Sequence, residues 1–159
     1  MNQLLLAIIL SVLPISELRG GLPVAVNYAI KNDLSVWPIF LLIILVNILV
    51  IFFIFFFLDF LHLSFMKIRC YRKTFDFFLE RTRKKVRKVE KDMKNYGYLA
   101  LAIFVAIPLP ATGAWTGCLI AWILGLDRKK SILAISAGVL AAGIIILIVS
   151  LGVINLFKI

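Results

Sequence analysis

The chain has 159 residues, 63% of them hydrophobic, with a mean hydropathy of +1.06 and a formal net charge of +10. A soluble domain of this size runs nearer half apolar, because it has too much surface to cover with hydrophobic side chains, so an ordinary globular domain is excluded. The charge does not point to nucleic acid: 12 of the 18 basic residues lie between positions 67 and 94, against only Asp76, Glu80, Glu90 and Asp92, and no binding motif accompanies them.

Taken in order, residues 4–13 are an apolar piece of only about 10 residues, ended by Pro14. The piece lacks a basic leader and a small-residue cleavage site, so it is read as mature structure rather than a signal peptide. Residues 15–23 form a break rich in Gly and Pro, and a second short apolar piece covers residues 24–30. After Lys31, Asn32 and Asp33 comes a run from 34 to 58 with Ser35 and Asn47 as its strongly polar members and no charge. At 1.5 Å per residue, roughly 25 residues of helix cross a hydrocarbon core of about 30 Å.

The basic block, 62–96, carries Ile68, Arg72, Phe75, Leu79, Thr82, Val86, Val89 and Met93 at alternating spacings of four and three. The pattern predicts an amphipathic helix that lies on an anionic leaflet, lies against the chain's own membrane core, or pairs with a second copy. The second half repeats the order of the first. A short apolar piece (98–107) meets a break at Pro108, Pro110 and Gly113, and another short piece follows (114–126). Asp127, Arg128, Lys129 and Lys130 then lead into an apolar run from 132 to 157.

The two halves share this hydropathy and breaker pattern without sequence identity, which is the trace left by inverted-repeat transporters. If residues 97–126 crossed the membrane, the basic block and Arg128-Lys129-Lys130 would fall on opposite sides, against the positive-inside tendency. A re-entrant hairpin keeps both on the cytoplasmic side. The fold expected is therefore all-α and integral to the membrane: two re-entrant helical hairpins, each followed by a long transmembrane helix, joined by a cytoplasmic basic amphipathic helix. It forms one membrane domain over 1–159, with repeat 1 at 1–61, the basic helix at 62–96 and repeat 2 at 97–159. Both termini lie outside, and the hairpins meet tip to tip near mid-membrane, since ten residues of helix reach about 15 Å.

Irregular backbone at that depth is tolerated only where protein or a water-filled cavity satisfies its polar groups, so the breaks are the candidate substrate or ion site. Glu17 and Arg19 are the charged residues that precede Lys31. On an extended tip beside Gly20 and Gly21, with Pro23 following, both can face one cavity. Arg19 suits an anionic head group through its forked donors, and Glu17 is a candidate proton carrier on which burial and the guanidinium act in opposite senses. A salt bridge between the two that merely holds the loop is the alternative. In the second break Pro108 and Pro110 fix the turn, Thr112, Trp115 and Thr116 supply polar atoms, and Gly113 and Gly117 permit close approach. Gly138, Gly143 and Gly152 are read as helix packing.

Cys70 and Cys118 are far apart with no CxxC spacing, and His62 has only Asp59 beside it in sequence, so no disulfide, metal or cofactor is expected. No nucleophile–base pair or nucleotide loop is present, and the chain is not read as an enzyme.

The segments 14–23 and 108–117 resemble the two signatures of the prokaryotic small multidrug export protein family, over nearly the whole chain, and more distantly the DedA superfamily. The resemblance implies a prokaryotic inner-membrane transporter. It would move a lipid-linked phosphate or an amphipathic small molecule between opposed hairpin tips, with proton coupling. Glu17 and Pro23 match the acidic first loop of DedA-like proteins, whereas no arginine stands between Lys94 and Arg128 to match the second. The competing reading is a non-enzymatic membrane organiser whose basic helix docks a partner or anionic lipid. Membrane lipids are partners under either reading, and a homodimer would help bury a polar centre.

Overall fold

The structure, a computed structural model of the chain, describes residues 3–65, 93–109 and 112–157. Among the described residues all secondary structure is helical: α1 (Gln3–Val12), α2 (Glu17–Lys31), α3 (Val36–Phe65), α4 (Met93–Ala106), α5 (Ala114–Ile123) and α6 (Arg128–Phe157). Two stretches, Val36–Phe60 and Arg128–Ile154, are long and apolar enough to cross a membrane, while α1 and α5 are short apolar helices of 10 residues. Most of the basic block, residues 66–92, lies outside the described residues, and with it the expected amphipathic helix and Cys70.

The long helices run antiparallel. Arg128 at the start of α6 pairs with Asp59 near the end of α3, and half-way along Gly143 of α6 lies under Ile44 and Phe40 of α3. α1 and α2 form an antiparallel hairpin because Gly21 lets α2 settle directly onto the backbone of Ala7 and Ser11. Its tip reaches Asn47, near the middle of the Val36–Phe60 span, and Leu18 reaches Gly143 at the matching height of α6. α4 and α5 form the second hairpin from the other end. Tyr98 stands beside Asp127, Trp122 beside Asp59, and Val105 packs on Gly117 and Gly138 near mid-height. The two hairpins thus approach each other tip to tip between α3 and α6.

α2 and α5 stop in the same way. In α5, Gly125 takes a left-handed φ of 63°, the Leu126 N–H bonds the Ala121 carbonyl and the Gly125 N–H bonds the Trp122 carbonyl. In α2, Asp33 takes φ 51°, with Leu34 bonding Ala29 and Asp33 bonding Ile30. Both are Schellman closures, which satisfy the last carbonyls and turn the chain sharply into the following long helix. Nothing lies within 4 Å of a Cβ built on Gly125, so Gly125→Ala meets only the conformational penalty of a left-handed residue. A loss of about 1 kcal/mol is expected in a denaturation or thermal-shift measurement.

Two expectations change. The first break spans residues 13–16 rather than 15–23, and Glu17, Arg19, Gly20, Gly21 and Pro23 all lie inside α2 instead of on an extended tip. Pro23 takes away the N–H that the Arg19 carbonyl would accept, yet the helix continues. The reason is packing: Leu18, Gly21, Leu22, Ala25, Val26 and Ala29 are buried against α1, α3 and α6, and this outweighs the local preference for a break. The second change is Gly152. Gly138 and Gly143 do sit at close helix contacts, but Gly152 is exposed with nothing near it.

Candidate functional site

The C-terminal end of α1 leaves carbonyls that no helical N–H can reach. Three side chains from three places take them. The Ser16 hydroxyl donates to the Leu10 carbonyl at 2.6 Å, the Asn47 amide to Ser11 at 2.8 Å, and the Trp115 indole N–H to Val12 at 3.0 Å. The first break is therefore fastened to its own hairpin, to α3 and to the opposite hairpin.

The N-terminus of α5 has the complementary problem, free N–H groups, and Gly113 at its N-cap offers no side chain. Glu17 supplies the acceptor. The Trp115 N–H donates to its carboxylate at 3.1 Å, and the Ala114 N–H faces the same group. A carboxylate at a helix N-terminus meets both unpaired donors and the positive end of the dipole. Glu17 is 5% exposed, and its backbone is left-handed at φ 44°, a conformation that costs a non-glycine residue about 1–2 kcal/mol and that holds the side chain toward α5.

Arg19 crosses the same junction. Its Nη2 donates to Thr112 Oγ1 at 2.7 Å. The Thr112 hydroxyl also stands 2.6 Å from the Ile107 carbonyl and 2.8 Å from the Leu109 carbonyl, one of which takes its proton, so it closes the second break on itself. Glu17 and Arg19 do not form a salt bridge with each other: each charge bonds the opposite hairpin, and the ion pair among the described residues is Arg128–Asp59. Between the tips lies a cavity with room for about one water molecule. Glu17, Arg19, Asn47, Gly113 and Ala114 line it together with Val105, Val139, Ala142 and Ile146.

Of the residues singled out in the sequence, Glu17, Arg19, Thr112 and Trp115 come together. Gly20 and Gly21 serve the fit of the first hairpin instead, each closing on a neighbour (Ser16, and Ala7 with Ser11). Pro23 lies further along α2. Pro108 is half-buried in the second break, Pro110 lies outside the described residues, and Thr116 is half-buried on α5 and takes no part in these hydrogen bonds. Asn47, 2% exposed, was missed as a site residue although it is the lone amide in a long apolar run. Asn47→Leu strips the Ser11 carbonyl of its donor at the centre of the fold. It is expected to lower stability by about 1–3 kcal/mol in a detergent unfolding titration.

A second polar cluster closes the far end of α5. Asp59 accepts from the Trp122 indole at 3.0 Å and from Arg128 at 2.7 Å, Arg128 lies over the Phe55 ring, and Lys130 lies over Tyr98. Asp127 caps α6 by accepting from the Lys130 N–H at 3.0 Å, which offsets the unfavourable placement of three cations at a helix N-terminus. α5 is thus held at both ends by carboxylates from other elements.

The profile of the small multi-drug export protein family matches residues 17–145. The chain belongs to this family. The matched stretch begins at the buried glutamate of the first tip and takes in the second hairpin and most of α6. No curated protein and no solved structure gives a match. Family and helices agree on a membrane protein of an export class.

Proposed function

We propose that this small multi-drug export family member is a proton-coupled carrier of amphipathic small molecules, working by alternating access at the junction of two re-entrant hairpin tips. The observation that carries the reading is Glu17, a buried carboxylate at mid-height that caps a helix of the opposite hairpin beside a cavity. Ionised, it holds the tips together through charge-assisted hydrogen bonds. Protonated, it offers α5 a far poorer acceptor, and the tips can separate to admit a substrate. Arg19 then loses Thr112 as a partner and is free to meet a polar or anionic head group.

The shared turn at the ends of α2 and α5, and the approach of the hairpins from opposite ends of α3 and α6, support an inverted repeat. In this reading the basic block and Arg128-Lys129-Lys130 face the cytoplasm of a prokaryotic cell, and both termini lie outside. The Asp59–Trp122–Arg128 cluster is then on the inner side and Glu17 at the middle.

The test is transport in proteoliposomes carrying an imposed pH gradient, with ethidium and an NBD-labelled polyprenyl phosphate as probes. Export of ethidium with counterflow of protons is expected, and Arg19→Ala, which removes the hydrogen bond to Thr112 that helps close the tips, should weaken its coupling to the proton gradient at least tenfold. Movement of the lipid phosphate instead would redirect the substrate assignment to a lipid-linked phosphate. Failure of both probes to move under any gradient, with folded protein verified, would refute the carrier reading.

A further inference from the structure

The N-cap of α5 is an unusual one. Gly113 has the extended backbone (φ −92°, ψ −162°) in which a Ser, Thr or Asp would cap the helix with its own side chain. The cap comes instead from Glu17, and it comes through the space that a side chain at position 113 would fill. A Cβ built on Gly113 falls inside the Glu17 carboxyl group, in contact with Oε2, Cδ and Oε1 together. A surface glutamate would swing aside. Glu17 has little freedom to do so, being 5% exposed, left-handed in its backbone and carried on a helix packed against α1, α3 and α6. Among the described residues the titratable neighbours of this carboxyl are Arg19 on its own helix and Cys118 on α5. α3, α4 and α6 face the cavity with Asn47, Val105, Val139, Ala142 and Ile146, none of them charged.

We propose that Gly113 is the positioning residue of the proton-linked step: its bare Cα is the seat on which Glu17 docks, and this seat couples the charge on Glu17 to closure of the hairpin tips. The inference rests on the carrier reading above and adds to it the residue on the opposite hairpin through which Glu17 acts. Docking needs a carboxylate and a bare Cα at the same time. Change either one and the tips lose the connection that responds to charge on Glu17, while the Arg19–Thr112 and Trp115–Val12 hydrogen bonds and the helices are untouched.

The variant that separates this role from plain packing is Gly113→Ser. Its hydroxyl caps α5 in the conformation already present, so the helix end stays satisfied while Glu17 is shut out. In proteoliposomes, proton-driven ethidium transport should fall at least tenfold. The pH midpoint of what remains should differ from that of the parent chain, because ionised Glu17 loses the N–H donors of α5. Thermal unfolding supplies a measurement that does not depend on transport. Gly113→Ser should be less stable than the parent chain, and this loss should vanish in the Glu17→Ala background, where no carboxyl competes for the space. A Gly113→Ser protein with the parent rate and pH profile would overturn the proposal. So would a Gly113→Ser destabilisation of the same size with and without Glu17. If Gly113→Ser alone yields no folded protein, Glu17→Ala and Glu17→Ala/Gly113→Ser are compared directly: equal stability supports the seat, and a lower value for the double variant overturns it. Glu17→Gln reports on the carrier reading separately, because normal transport by that variant would remove the proton-linked role and leave the stability cycle to judge the seat alone.

Discussion

Glu17→Gln is expected to reduce proton-driven transport at least a hundredfold while leaving the protein folded in the membrane. The substitution is nearly isosteric, so the carboxamide oxygen can still accept from the Trp115 N–H that Glu17 now holds at 3.1 Å. Its other half is an NH2 group, which can only donate, and it would stand where the Ala114 N–H now faces a carboxylate. Two donors then point at one another inside the protein. Together with the lost charge, this is expected to cost about 1.5–3 kcal/mol of stability, the range for a hydrogen bond to a charged group. That is small enough for a helical membrane protein to remain assembled, and Asn47, Ser16 and the Trp115 indole still fasten the first break. What the glutamine cannot do is change its charge with pH. Residual transport should therefore lose its dependence on the proton gradient, whereas Glu17→Asp, shorter by one methylene, should keep that dependence at a reduced rate. The two variants, assayed side by side across pH 5–9 in about one-unit steps, check this; a glutamine variant with the parent rate and gradient dependence would sink the proton role.

The scaffold was legible because its signals are local and repeated. Pro14, the Pro108 region and the charged turns at 31–33 and 127–130 punctuate the apolar runs, and the helices of the structure follow them closely at α1, α5 and α6. Pro23 shows the limit of such punctuation. A proline inside a short apolar segment reads as a break, but α2 buries one face against three neighbours and carries the proline through. The consequence reaches the site: Glu17 is the first residue of a helix, not part of an extended tip, and its direction is set by one left-handed residue. The charges themselves were legible, since an acid and a base stand alone ahead of Lys31. Their partners were not. That Glu17 would cap α5 and Arg19 would reach Thr112, 93 positions away, is a product of tertiary packing between hairpins whose contacts leave no pattern in either segment. Gly113 was visible as a glycine that permits close approach. What approaches it is a side chain from the other hairpin, which only the assembled fold supplies.

Gly138→Ala is expected to damage the fold far more than its size suggests, and Gly152→Ala to do almost nothing. Both glycines lie in α6 and read alike in sequence. A Cβ on Gly138 would stand 2.6 Å from the Ala102 carbonyl oxygen and 2.7 Å from the Val105 Cβ, whereas one on Gly152 would meet nothing within 4 Å. A clash with the end of a flexible side chain is relieved by rotation. A clash with a carbonyl and a Cβ is relieved only by moving the helix that bears them, so α4 must shift away from α6. Overpacking of this kind costs about 1–3 kcal/mol. Val105 is also the residue that fills the space above Gly117 and lines the cavity beside Glu17, so displacing α4 opens the junction of the tips. Gly138→Ala should therefore lower the unfolding temperature and weaken the coupling of transport to the proton gradient together. Gly152→Ala, exposed on the same helix, should leave both unchanged. Paired thermal unfolding and proteoliposome transport of the two variants measure the contrast. Equal behaviour of the two would mean that α4 does not rest on α6 through Gly138, and the second hairpin would then need another support at mid-height.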